Sequence, residues 1–475
     1  MKKIYFLIIV VIFFVGTMLL LAIDEYFSVN EFTVIDNLIY SETLYLVTIL
    51  AILLPVFLVY LFLLLLDRPK VEGFFRKRQF DDDRFIEENK EPTQIYLDGV
   101  SGGSTGKTKS EDDNNEDVRF FMLNKIDEEW ADYKAPAIDK ELTLKRVCEE
   151  FREFAGGHLG LFYDISDIRR FIAGLSITQI IILQGMSGTG KTSLAYAFGE
   201  YLSNPTTVVP IQPMWKERTD LIGYYNEFTN KFIETTLLQK LYEANYSEEI
   251  FITVLDEMNI ARVEYYFAEF LSLLELPNPD VRFLDVVANV WPTDPKKLVE
   301  GRMKLPKNMW FIGTANNDDS TFAISDKVYD RAMVINLDKK AVPFESNRDR
   351  GMKITEENLR QLFKENLNKF EITDRNLRRI KELDDYMIKK FHLSFGNRIM
   401  KQIKNYVPVY VGCGGSEINA LDDILSSKIM RKLESQNPVY MRKEAQGLCQ
   451  YLDELFGVDQ MPQCKDYITK IERNG

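Results

Sequence analysis

The sequence predicts an α/β protein: a parallel sheet with helices on both faces, followed by a small α-helical unit and preceded by two apolar spans. Three observations carry this. A buried-strand pattern runs straight into a glycine loop and then a helix over 179–198, four more apolar strands alternate with helical stretches, and apolar residues crowd the first 66 of the 475 positions. More than one unit is expected at this length, since a single core stops growing at roughly 250 to 300 residues.

Residues 4–23 and 44–66 are uncharged and almost wholly apolar, and about 20 such residues suffice for a helix to cross a hydrocarbon core. A cleaved leader fits the first span poorly, because its apolar run exceeds the usual length of about 7–15 residues and no Ala-x-Ala-like site follows. Pro55 in the second is tolerable where neighbouring groups re-satisfy the freed carbonyl. Lys2 and Lys3 precede the first span, and Arg68, Lys70, Arg76, Lys77 and Arg78 follow the second. The loop between holds Asp24, Glu25, Glu31, Asp36 and Glu42 with no Lys or Arg. Both ends therefore face the cytoplasm under the positive-inside rule. The expectation is a two-pass membrane protein, with a transmembrane hairpin at 1–66 and the rest of the chain cytoplasmic. Neither span carries a charge, which favours anchoring over conduction and leaves sensing open.

Residues 67–118 read as a basic juxtamembrane segment and then an acidic, disordered linker, with Asp81-Asp82-Asp83 at one end and an acidic run over 110–117 at the other. Within it Ser101-Gly102-Gly103-Ser104-Thr105-Gly106-Lys107-Thr108 imitates a phosphate loop. Its first position is serine where G-x-x-x-x-G-K-[ST] needs glycine, and no apolar helix follows, so it reads as spacer.

From 119 the composition turns globular. An α/β domain is expected over 119–340 and α-helices over 341–475. Helical spacing starts near Leu142, recurs over 165–172, and leads into the strand 179–184. Next comes Gly185-Met186-Ser187-Gly188-Thr189-Gly190-Lys191-Thr192, then the helix-forming Ser193-Leu194-Ala195. Glycines let successive backbone N–H groups curl around phosphates, with the positive helix end behind them. Residues Gly185 through Thr192, together with Ser193, are thus the candidate nucleotide-binding set. Lys191 would reach the β- and γ-phosphates and Thr192 would place its hydroxyl on Mg²⁺. A second strand, 250–255, ends in Asp256-Glu257, two carboxylates at the sheet edge where nucleotides bind. Asp256 would hold Mg²⁺ through water, and Glu257 would orient and deprotonate the attacking water. Further strands at 206–211, 309–314 and 332–337 bring the count to five.

On these residues the chain resembles the dynein-related branch of AAA+ ATPases, which includes MoxR-type chaperones, and most closely the McrB-type NTPases of methylcytosine-dependent restriction systems. The resemblance spans about 142–435. It rests on the loop 185–192, on Thr219-Asp220-Leu221-Ile222-Gly223-Tyr224-Tyr225, on Leu255-Asp256-Glu257-Met258-Asn259, on Gly313-Thr314-Ala315-Asn316, on Asp330-Arg331, and on Ala420-Leu421-Asp422 followed by Lys428-Ile429-Met430. It implies a P-loop AAA+ sheet followed by a small α-helical lid, with ATP and Mg²⁺ as cofactors and GTP left open. It assigns Asn316 the sensor-1 role and makes Arg331 an arginine finger on the neighbouring subunit's γ-phosphate, which implies a ring, usually a hexamer. Lys191, Glu257, Asn316 and Arg331 form the implied catalytic set. Arg398 sits where the lid offers a sensor-2 residue, with Arg262 as an alternative across the interface. The bland reading of Arg331 is a salt bridge at a helix end. Tyr224, Tyr225 and Phe228 face either the ring's centre or the core.

The leading function is a membrane-anchored ATPase ring that remodels or activates a partner protein. The alternatives are the NTPase subunit of a nucleic-acid defence system working with a separate nuclease, and a nucleotide-gated membrane scaffold or channel. A net charge of −13 argues against direct nucleic-acid binding, which needs clustered Lys and Arg. Cys148, Cys413, Cys449 and Cys464 lack C-x-x-C spacing and only His158 and His392 are present, so structural zinc is not expected.

Overall fold

The structure, a computed structural model, describes residues 118–136, 141–316, 321–338 and 340–474. Five parallel strands form the central sheet: β1 (Ile180–Gln184), β2 (Thr207–Pro210), β3 (Phe251–Asp256), β4 (Met309–Ala315) and β5 (Met333–Asn336), in the order β5-β1-β4-β3-β2. The inner strands are apolar because both their faces are covered; every residue of β1 and β4 is buried. Pro210, which cannot donate to a ladder, falls on the edge strand β2.

Alternate residues of each strand feed opposite cores. Ile181, Leu183, Ile252, Val254, Trp310 and Ile312 enter one, and Ile180, Ile182, Phe251, Leu255, Met309 and Phe311 enter the other. The first core holds α2 (Leu144–Leu159), α3 (Ile165–Ile177) and α4 (Lys191–Tyr201); the second holds α1 (Met122–Glu129), α5 (Thr236–Ala244) and α6 (Ala268–Glu275). Local capping fixes the starts: Thr143 accepts from Arg146 N ahead of α2, and Asp164 from Ser166 N ahead of α3.

Two β insertions depart from the five-strand expectation. One is a hairpin of Gly223–Asn226 with Lys231–Glu234, and the other a three-stranded antiparallel sheet of Phe283–Asp285, Leu298–Val299 and Arg302–Lys304. A segment over 340–353 without regular structure runs back across the first core, where Ser346 Oγ donates to Glu153 O at 2.8 Å.

Six helices follow: α7 (Glu356–Lys369), α8 (Asp374–Phe391), α9 (Gly396–Gly412), α10 (Glu417–Lys428), α11 (Pro438–Phe456) and α12 (Pro462–Asn474). Their apolar faces join the first core. Buried polar contacts lock them to the sheet domain, with Arg170 of α3 donating to Asn336 O at 2.7 Å and pairing with Asp423 of α10 at 3.1 Å.

The two-pass membrane localisation is corrected. Among the described residues no helix is long and apolar enough to cross a membrane. The longest, α8 with 18 residues and α11 with 19, interleave charged side chains along their length. The spans expected at 4–23 and 44–66, and the linker with its imitation loop at 101–108, lie outside the described residues.

Candidate nucleotide site

Gln184 ends β1 and the loop 185–190 turns from it into α4. Gly185 passes so close to the Leu337 carbonyl that an added Cβ would lie 2.5 Å from its oxygen, while Gly188 and Gly190 take left-handed φ values of 78° and 88°. The loop closes on its own lysine: Lys191 Nζ donates to Gly185 O at 3.0 Å and to Met186 O at 2.9 Å. Met186, Ser187 and Gly188 stay exposed. Tyr163, just ahead of α3, donates its hydroxyl to Gly190 O at 3.1 Å, and burial raises its pKa so that it remains a donor. Tyr163, Phe162, Leu161 and Gly160 line a cleft of about 190 Å³ beside Gly188 and Thr189.

Strand order brings the acids to the loop. Leu255 of β3 is in register with Gly313 of β4, so the next pair, Asp256 and Thr314, meet at the carboxyl end of β3. Asp256 Oδ1 accepts from Thr192 Oγ1 and from Thr314 Oγ1, each at 2.8 Å. Thr314 Oγ1 also accepts from Glu257 N at 2.8 Å. Glu257 holds a left-handed backbone, φ 53°, rare for a non-glycine residue and of the kind that persists only where surroundings enforce it. Its carboxylate receives Asn316 Nδ2 on both oxygens, at 2.7 and 2.8 Å. Asn259 secures this from below, donating to Asn316 O at 2.8 Å and accepting from Phe322 N at 2.8 Å. Lys191, Thr192, Asp256, Glu257 and Asn316 are thus brought together; Thr314, which joins two of them, carried no assigned role in the sequence reading. A hydroxyl in the otherwise apolar strand β4 was the available signal.

Arg331 and Arg398 lie elsewhere. Thr178, ahead of β1, donates to Arg331 O at 2.7 Å, whereas the loop leaves the far end of β1, roughly 20 Å away at strand rise. Arg331 Nη2 pairs with Glu275 at 2.6 Å, and Arg398 of α9 pairs with the other oxygen of the same carboxylate. The two arginines hold Glu275 below the usual carboxylate range, chiefly through the Arg331 hydrogen bond. Arg398 was expected among the nucleotide-binding residues; in this chain it stands with Arg331 and does not reach its own loop. The aromatic trio divides: Phe228 at the hairpin tip is 100 % exposed and Tyr224 is 53 % exposed, while the Tyr225 ring packs edge-on against Trp291. Arg262 lies over the Phe322 ring.

Among the described residues no three His, Cys, Asp or Glu side chains group as a metal site. Mg²⁺ needs no such cage, since it takes one or two protein oxygens together with phosphate and water, and Thr192 with Asp256 is a hard-oxygen pair of that kind.

Residues 180–332 match the family model of the AAA domain, dynein-related subfamily. Residues 351–475 match a model described as a domain of unknown function (DUF8727). No curated protein matches the chain. Among solved structures, a full-length MCM homolog from Methanopyrus kandleri is similar at 11 % identity and a TM-score of 0.35, over 62 % of this chain and 64 % of that one. The family match and the parallel α/β sheet with its helical region support an AAA+ ATPase, and domains of that family bind nucleotide.

Proposed function

We propose that the chain binds and hydrolyses ATP with Mg²⁺, in a ring whose active sites are shared between neighbouring subunits, and uses turnover to remodel or activate a partner protein. The observation that carries this is the unbroken hydrogen-bonded set from Thr192 through Asp256 and Thr314 to Glu257 and Asn316, beside a glycine loop that opens a helix. Lys191 leaves the Gly185 and Met186 carbonyls for the β- and γ-phosphates. Thr192 and Asp256 hold Mg²⁺, which when bound neutralises phosphate charge. Glu257 takes the proton of the attacking water. Asn316 aims that carboxylate, and its buried Oδ1, without a hydrogen-bond partner among the described residues, is an acceptor for the same water.

Arg331 lies a strand's length from its own loop, so it acts on a neighbour's γ-phosphate, with Arg398 beside it on the same face. This supports the ring. The fully exposed Phe228, together with the exposed cross-strand pair Tyr224 and Ile233 on the same hairpin, supports a contact with a partner polypeptide, as a cluster of exposed apolar side chains does. The test is phosphate release by the full chain with ATP and with GTP. Turnover should depend on Mg²⁺, be lost in Lys191→Ala, and show which base the cleft at Tyr163 prefers. Nucleotide binding without turnover under every assembly condition would contradict the proposal.

A further inference from the structure

The Asp330–Arg331 turn has no regular structure of its own to fix it. The helix ahead of it, Asp326–Tyr329, is a single turn, and the last carbonyls of any helix lack intrahelical partners. Asp326 O accepts from Asp330 N, and Val328 O from Arg331 N and Ala332 N, within the turn; the Tyr329 carbonyl is met from outside. Lys428, the final residue of α10, donates from Nζ to Tyr329 O at 2.9 Å and also to Ala332 O, the two carbonyls that bracket Asp330 and Arg331. Lys428 is 4 % exposed. Asp330, the acid that favours its charge, is paired with Lys432 at 3.7 Å, so the buried ammonium is satisfied by carbonyl dipoles. Such a group is costly, and an apolar residue of the same shape would usually be more stable. Its presence is therefore explained better by the geometry it imposes than by stability.

Two further contacts tie this turn to β1. Gln184 Nε2, one residue before the phosphate loop, donates to Tyr329 Oη at 2.6 Å, and Thr178 Oγ1 donates to Arg331 O at 2.7 Å. Arg431, three residues past Lys428, lies over the Tyr329 ring.

We infer that Lys428 is a positioning residue for Arg331: by holding the Tyr329 and Ala332 carbonyls it ties the arginine offered to a neighbour's nucleotide to the helical unit of its own chain. This rests on the reading of Arg331 as a finger in trans. Lys428 touches no substrate; it acts through the turn.

Complementation in the full chain tests this and keeps the two readings apart. Lys428→Met is expected to keep ATP binding within about twofold, because its own loop and acids are intact, and to lose phosphate release by about tenfold or more, a kcat effect with little change in KM. Mixing it with Glu257→Gln should restore turnover. In mixed rings the Glu257→Gln subunit presents a well-held Arg331 to the intact site of the Lys428→Met subunit. Lys428→Gln, which keeps a donor in the buried position, should show the same pattern with a smaller loss and decides the matter if the methionine variant does not fold. If Arg331→Ala is rescued by Glu257→Gln and neither Lys428 variant is, or if both keep wild-type turnover, the inference is overturned. If Arg331→Ala is itself not rescued, the finger reading fails and this inference falls with it.

Discussion

Glu257 combines a left-handed backbone with a carboxylate held on both oxygens by Asn316, which ties its orientation to a second strand. Asn316→Ala would release the carboxylate while leaving the phosphate loop untouched. Phosphate release should then fall by roughly 10²-fold or more, the range for loss of a positioned acid–base group, with ATP affinity nearly unchanged; equal losses in both would show that Asn316 serves binding instead. Lys428 gives a pH prediction. Burial pushes its ammonium down to about 7; Asp330 opposes this, and Arg431, Lys432 and Arg398 add to it. In the unfolded chain it stays protonated to its ordinary value of 10.5. Between these values the unfolded state binds more protons, so this group's cost is full below about pH 7 and is relieved as pH rises. Denaturant titrations at pH 6, 7, 8 and 9 should show wild type gaining on Lys428→Met as pH rises; parallel curves would contradict it.

At the scale of elements, the five strands were legible because each inner strand is a run of apolar residues long enough to read. The two β insertions were not, because strands such as Leu298–Val299 and Arg302–Lys304 are too short to show a period. The loop and Asp256-Glu257 could be read from local motifs. Thr314 required the strand order, since only β3 beside β4 places it on Asp256. Arg398 entered through the resemblance, and the residues around it do not say which end of the sheet α9 meets. The same contrast between buried strand and exposed hairpin predicts stability. Trp310, fully buried in β4 with Nε1 donating to Leu175 O at 3.1 Å, should cost about 3–5 kcal/mol when changed to Ala. Phe228→Ala should stay within about 0.5 kcal/mol, measured by denaturant unfolding. A destabilising Phe228→Ala would show that the hairpin tip packs in the folded chain.

For the whole molecule, the proposed shared site rests on a separation of two groups of residues within the chain. The loop, the Thr192–Asp256 pair, Glu257 and Asn316 gather at the carboxyl ends of the strands, and Arg331 with Arg398 and Glu275 at the amino end of β1. In the proposed ring it is a neighbouring subunit that closes this gap. The Glu275 carboxylate holds the two arginines side by side in the isolated chain, and a γ-phosphate arriving across an interface would compete for the same guanidinium groups. The most direct test is mixing Arg331→Ala with Glu257→Gln in the full chain and following ATP hydrolysis. Each variant alone should be inactive, and the mixture should recover turnover, because interfaces form that pair an intact Glu257 with an intact Arg331. If the mixture stays as inactive as its parts while both variants still bind ATP and assemble, the shared-site account is wrong.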